Sequence, residues 1–317
     1  MKVSLMKQSK RAVGLLGGLV WLAHGGLVAA SPVAFTLDST NSVIAFSGSV
    51  NVPLVGTVPF TEQSAGSLTT HYSGTLLLDL TPPAIQFTGG SAIVARTNGV
   101  WQPAVGGVAG SALGDYGGKL TISTLLGNVT AWAAARNIAL DISSPALTLT
   151  NSGFDASRLN LIFLTNNPPA PVLDYQVIGN MVIPSSSGSS SLHGSLINSQ
   201  ATAYLTNTAG LLKLVIPVNA TNVATFLNPD DTTMILRGQL VATAPASAWP
   251  LVLSIGVAAG QVSLTWPSVT GQVFTVLASS NLNNWTSNSG MTAVNGNNTT
   301  WSASQSGSAR FYRVRLQ

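Results

Sequence analysis

The absences in this chain narrow its chemistry before any motif is read. It has no cysteine, which excludes disulfides, thiolate zinc sites, a cysteine nucleophile and a lipid-modified cysteine. Charged side chains make up 7% of the residues, against about 25% in an average soluble domain. Its solvent faces must therefore be built from Ser, Thr, Asn, Gln and Gly. This is not the composition of a disordered chain, which joins low hydrophobicity to high net charge. Glutamate occurs once, at Glu62, so a glycosidase pair of carboxylates would have to come mostly from aspartates. Of the 3 histidines, His24 lies near the start, leaving His71 and His193 for the rest of the chain.

What is present begins with a leader pattern. Lys2, Lys7, Lys10 and Arg11 precede the apolar run Ala12 to Leu27, and small residues follow at Val28-Ala29-Ala30. A basic start, an apolar core and a small-residue junction predict a signal peptide over residues 1–30, cut between Ala30 and Ser31. The rival reading, an uncleaved anchor, needs about twenty apolar residues. This run is shorter and is interrupted by Gly17, Gly18, His24, Gly25 and Gly26. The net charge of +4 then belongs to the leader, and the remainder is neutral. Neutrality removes the argument for a nucleic-acid partner. The expected location is secreted, extracellular or periplasmic, with no transmembrane segment after cleavage.

Beyond the leader, apolar residues alternate with period two, the pattern of half-buried strands. Leu76, Leu78 and Leu80 alternate with Leu77 and Asp79, and Leu212, Leu214 and Ile216 with Leu211, Lys213 and Val215. Strands are predicted near 34–38, 42–48, 67–80, 84–96, 119–125, 130–142, 145–150, 158–164, 172–183, 191–206, 210–218 and 232–243. Gly99 to Gly118 and Ser185 to Ser191 read as loops, and 222–227 as a short helix. The expected fold class is all-β. A large antiparallel β-sandwich or open barrel over residues 31–244 is followed by a linker at 245–250 and a small β-sandwich over 251–317. The small unit has no acidic residue; its charges are Arg310, Arg313 and Arg315.

Within the small unit, Leu264-x-Trp266, Ser279-Ser280-Asn281-Leu282-Asn283-Asn284-Trp285 and Phe311-Tyr312-Arg313 stand in sequence. In this it resembles the fibronectin type III-like modules that close many secreted bacterial proteins, which implies spacing, attachment or weak binding. Residues 35–244 resemble uncharacterised exported bacterial proteins, many of which end in an exosortase-type sorting tail. The matching pieces include Phe35-Thr36-Leu37-Asp38-Ser39, Trp101-Gln102-Pro103, Asp115-Tyr116-Gly117-Gly118, Leu173-Asp174-Tyr175 and Gly238-Gln239-Leu240. That family brings no activity to transfer, and membrane sorting through such a tail is not expected here. The opening aromatic-x-x-Asp-x-x-x-Ser strand and the alternating strand Met234 to Ala242 are also similar to YceI-like barrels. That likeness implies an apolar, lipid-like ligand inside the sheet.

Catalytic motifs fail on inspection. There is no Gly-x-Ser-x-Gly elbow, His-Glu-x-x-His helix or EF-hand loop, and Gly118-Lys119 lacks the remainder of a phosphate loop. His71 and His193 read as hydrogen-bonded strand or edge histidines. Asp230 and Asp231 read as a turn, with a loop calcium site as the rival. Trp285 and Trp301 are the candidate ligand-stacking residues. Trp301 is expected to be the more exposed because its neighbours are Ser, Thr and Ala. No cofactor is expected. The expected function is a non-catalytic structural or binding protein of the cell surface or secreted matrix, partnered by a surface glycan or another extracellular protein. The alternatives are a carrier of an apolar ligand, with a cavity lined by residues such as Phe46, Leu78, Phe87 and Leu214, and a carbohydrate-binding or carbohydrate-active protein.

Overall fold

The computed structural model describes residues 31–317 except 53–54, 167–168, 182, 200–201, 225–231, 288–291, 294–296 and 305–310. The expected leader lies outside the described residues, as do Asp230 and Asp231. Among the described residues the regular elements are strands and short 3-10 turns, and no helix is long and apolar enough to cross a membrane.

Eight antiparallel strands close into a barrel. Around the ring they run Leu211–Ala224, Ser195–Asn198, Asn160–Phe163, Ala139–Ser143, Ala92–Ala95, Thr69–Thr81, Val33–Leu37 and Thr232–Pro245. The last pairs with the first along its full length, from Leu211↔Pro245 to Ala224↔Thr232. The barrel is therefore closed, which corrects the open-barrel or sandwich expectation. Alternation fixes which face of a strand is apolar but not which strand it pairs with. Strand Val43–Val52 continues the slot of Val33–Leu37 between the same two long neighbours, Thr69–Thr81 and Thr232–Pro245. Asp38 makes the intervening turn by accepting from the Thr40 and Asn41 amides.

The inward faces are those the alternation picks out: Leu76, Leu78, Leu212, Leu214, Ile216 and Leu240 are all fully buried. A second sheet, ordered Ser186–Ser191, Val172–Ile178, Gly127–Arg136, Tyr116–Thr124 and Thr61–Glu62, adds Tyr116, Leu120, Ile122, Val129, Leu173 and Val177 to the same core cluster. The predicted loop Ser185 to Ser191 is thus the edge strand of this sheet. Serines suffice there because an edge strand pairs through its backbone. Gly99 to Gly118 is likewise a hairpin, with strand Gly99–Trp101 paired to Ala112–Gly114. Its glycines make room for Trp101: a Cβ on Gly117 would sit 2.5 Å from Trp101 Cγ.

Three predicted long strands are divided. Gly89 and Gly90 at positive φ separate Ala84–Phe87 from Ala92–Ala95, and Asn137 at φ 58 separates Gly127–Arg136 from Ala139–Ser143. The third, 191–206, holds Ser195–Asn198 and the start of Thr202–Thr208. The predicted helix near 222–227 is replaced by strand through Ala224, because Asn222 to Ala224 complete the barrel-closing hairpin; 225–227 lie outside the described residues.

The second unit has two sheets. Ser254–Ala258, Gln261–Pro267 and Asn298–Ser304 form one. In the other, Val273–Ser279 pairs with Thr286–Ser287 and Thr292–Ala293 on one side and with Phe311–Leu316 on the other. Val262, Leu264, Trp266, Phe274, Val276 and Trp301 form the core between them. The two units meet in a bonded contact. Ser152 Oγ donates to Thr270 Oγ1 at 2.9 Å and accepts from the Thr270 amide at 2.9 Å. The Asn207 amide donates to Thr270 O at 2.8 Å, and Val269 is buried in the barrel's core cluster. The segment expected as a linker is built into the fold: its strand runs to Pro245, Ala246 N donates to Gly210 O, and Trp249 is buried.

Candidate functional site

Where barrel and covering sheet meet, Phe46, Tyr116, Ile138, Phe163, Leu196 and Met234 wall an apolar cavity. It leaves room for the centre of a water-sized sphere over only ≈ 20 Å³, the space of about one water molecule. Phe46 contributes to this wall, whereas Leu78, Phe87 and Leu214 are packed into the core.

Beside the cavity sits a buried polar group. Tyr72 and Tyr116 share a hydroxyl hydrogen bond of 3.0 Å, and Tyr116 donates to Ile44 O at 3.2 Å. Burial pushes both phenols up, so both stay protonated. The neighbouring Asp115 carboxylate accepts from the Ile138 amide at 2.8 Å, yet burial still pushes its pKa up to about 6. The amide bond and the Arg136 charge oppose that shift without cancelling it.

On the outer face of the covering sheet, the glycine hairpin is fastened by Arg136. Its Nη1 donates to Asp174 Oδ2 at 2.6 Å, with both side chains buried. The rest of the guanidinium donates to Pro103 O at 2.6 Å and Leu113 O at 2.8 Å, with a longer bond to Trp101 O. The other Asp174 oxygen accepts from the Gly106 amide at 3.1 Å. One ion pair thus clamps both strands and the turn of the hairpin. Trp101 and Asp174 stand in motifs of the sequence, which gave Arg136 no role. The nearest available signal was an arginine following five small or aromatic residues in a charge-poor chain.

Each described carboxylate is engaged in local structure rather than gathered in a cleft. Asp38 and Asp155 hold turns, and Asp79 accepts from Thr81 Oγ1. Glu62 accepts from the Gly66 amide, and Asp141 binds the Gly90 and Ser91 amides. Their turn partners, Asn41 and Ser157, lower the Asp38 and Asp155 pKa values. No group of three or more His, Asp or Glu residues is placed to hold a metal among the described residues. His71 Nδ1 lies 2.8 Å from Ser39 O, and His193 Nδ1 lies 3.0 Å from Ser191 O.

The two stacking candidates part company. Trp301 is buried, 8% exposed, with its ring 5.4 Å from that of Tyr312, which corrects the expectation that it is exposed. Its strand alternates inward at Thr299, Trp301 and Ala303, so polar chain neighbours mark the opposite face, not the ring's surroundings. Trp285 is half-buried, with Nε1 donating to Leu282 O at 3.0 Å.

The surface carries a different signal, which the sequence reading missed. At the tip between strands Tyr116–Thr124 and Gly127–Arg136, Leu125 is 105% exposed and Leu126 55%. Asn180 Nδ2 donates to Gly127 O at 3.0 Å, which brings the neighbouring turn, with Met181 92% exposed, beside them. The glycine hairpin displays Val100, Val105, Val108 and Leu113 in the same way, with Val100 directly opposite Leu113. No charged residue lies in 97–114, 120–131 or 176–184. No family model matches the chain, and neither the curated proteins nor the solved structures contain a match to it.

Proposed function

We propose that this chain is an exported, non-catalytic binding or structural protein of the cell surface or secreted matrix. Its barrel serves as a rigid platform, and its second unit is a fibronectin type III-like module. The observation that carries this reading is the set of uncharged tips bearing Leu125, Leu126 and Met181 above a buried apolar core. Contiguous exposed apolar side chains at a protruding edge suit contact with another macromolecule. Their apolar character favours an extracellular protein as partner over a glycan. The resemblances of both units to exported bacterial proteins support the location.

The test is fractionation of the protein expressed with its own leader. Wild type is expected in the surface-bound fraction. The Leu125→Ser/Leu126→Ser/Met181→Ser variant, with unchanged thermal stability, is expected in the medium. Identical distribution of the two proteins would remove the proposal.

A further inference from the structure

In the second unit one strand is paired on a single side among the described residues. Phe311–Leu316 pairs with Val273–Ser279 through Phe274↔Leu316, Val276↔Val314 and Ala278↔Tyr312, and with no other strand among the described residues. The Gln317 amide donates to Val273 O at 2.9 Å. Hydrogen-bonded pairs alternate along an antiparallel ladder. The residues bonded to the inner neighbour are therefore 311, 313, 315 and 317. Tyr312, Val314 and Leu316 point their N–H and C=O groups to the open side.

Side-chain burial marks the same side as incomplete. On the neighbouring strand the inward residues Phe274 and Val276 are buried. Tyr312, Val314 and Leu316 share that inward face and pack against the core, yet are only half-buried. On the outer face Arg313 and Arg315 are exposed, opposite Leu277 and Thr275. Residues 251–317 contain no acidic residue, and the ion pair found among the described residues is elsewhere, at Arg136 and Asp174.

From this edge we propose that Phe311–Leu316 accepts an added antiparallel strand from another protein, one that alternates apolar with Asp or Glu side chains. Main-chain bonds to Tyr312, Val314 and Leu316 supply the pairing, the usual basis of strand addition. The incoming apolar side chains cover the half-buried inward face. The incoming carboxylates fall opposite Arg313 and Arg315, in the non-hydrogen-bonded positions where cross-strand side chains lie closest. This surface is separate from the barrel tips, so either proposal can fail without the other.

The test uses the full chain and fluorescence anisotropy of two labelled peptides, one alternating Val and Glu and the other alternating Val and Lys. The Glu peptide is expected to bind, with affinity falling as salt is raised, and the Lys peptide to bind at least about tenfold more weakly, a difference of about 1.4 kcal/mol. Arg313→Glu/Arg315→Glu is expected to reverse that preference, since both side chains are exposed. Val314→Pro is expected to abolish binding, because it removes an N–H that lies outside the internal ladder and faces the open side. Should that variant not fold, the charge reversal decides alone. Equal binding of both peptides, binding of neither, or retained binding by a folded Val314→Pro variant would overturn the proposal. So would peptide-free dimerisation in sedimentation that Val314→Pro abolishes, which would make the occupant a second copy.

Discussion

Replacing Arg136 by methionine should be among the most costly single changes in the barrel unit. The methionine keeps much of the side chain's length but strands the Asp174 carboxylate, whose side chain is 1% exposed and whose remaining partner is the Gly106 amide. Removing one member of a buried ion pair costs about 3–5 kcal/mol, and the Pro103 and Leu113 carbonyls lose their donor as well. Against a typical domain stability of about 5–15 kcal/mol this is a large fraction. Asp174→Asn should cost somewhat less, about 3 kcal/mol, because it leaves the buried guanidinium charge unpaired. The guanidinium keeps its carbonyl partners, and an asparagine oxygen still accepts from it. Arg136→Met/Asp174→Asn should be less destabilised than Arg136→Met alone, because no carboxylate is left stranded. Urea unfolding followed by tryptophan fluorescence measures all three, and protease cleavage within 99–114 reports release of the hairpin. If the double variant proved costlier than Arg136→Met alone, or Asp174→Asn cost nothing, the clamp would not work through the ion pair.

Two further outcomes follow from named contacts. Asp115 has its pKa raised to about 6 by burial, so the folded state holds that proton more tightly than the unfolded chain. Its contribution is fully present below the ordinary carboxylate pKa and is lost as pH rises through about 6, a fall of about 3 kcal/mol. Asp115→Asn should flatten that slope in urea titrations run from pH 4 to 7, and an unchanged slope would refute the assignment. Gly271 sits at φ +92, and a Cβ there would lie 2.0 Å from Asn207 O. Gly271→Ala should therefore force the two units apart at a cost of about 2 kcal/mol or more. Calorimetry should then resolve two transitions; a single one at the wild-type temperature would contradict the contact.

Much of the fold was legible because alternation depends only on the order of side chains. Leu76 to Leu80, Leu212 to Ile216 and Met234 to Ala242 point as their spacing requires. Ring closure was not legible, since the pairing of Val33–Leu37 with Thr232–Pro245 joins residues about two hundred positions apart. The serine strand was missed because an edge strand needs only its backbone to pair. Trp301 was misplaced because its Ser, Thr and Ala neighbours describe the other face of its strand. Arg136 went unread because a buried arginine is identified by what surrounds it in space: carbonyls of a hairpin, and an aspartate 38 positions away.

The barrel also has a timing built into it. The strand nearest its start is flanked on one side by the strand nearest its finish, with Ser42 Oγ bonded to Val241 O across 199 positions. A growing chain has no last stave until residue 245 exists, so a product halted before residue 232 would leave its first stave half-unpaired. Assembly of such a ring waits until residues 33 to 245 are all available together.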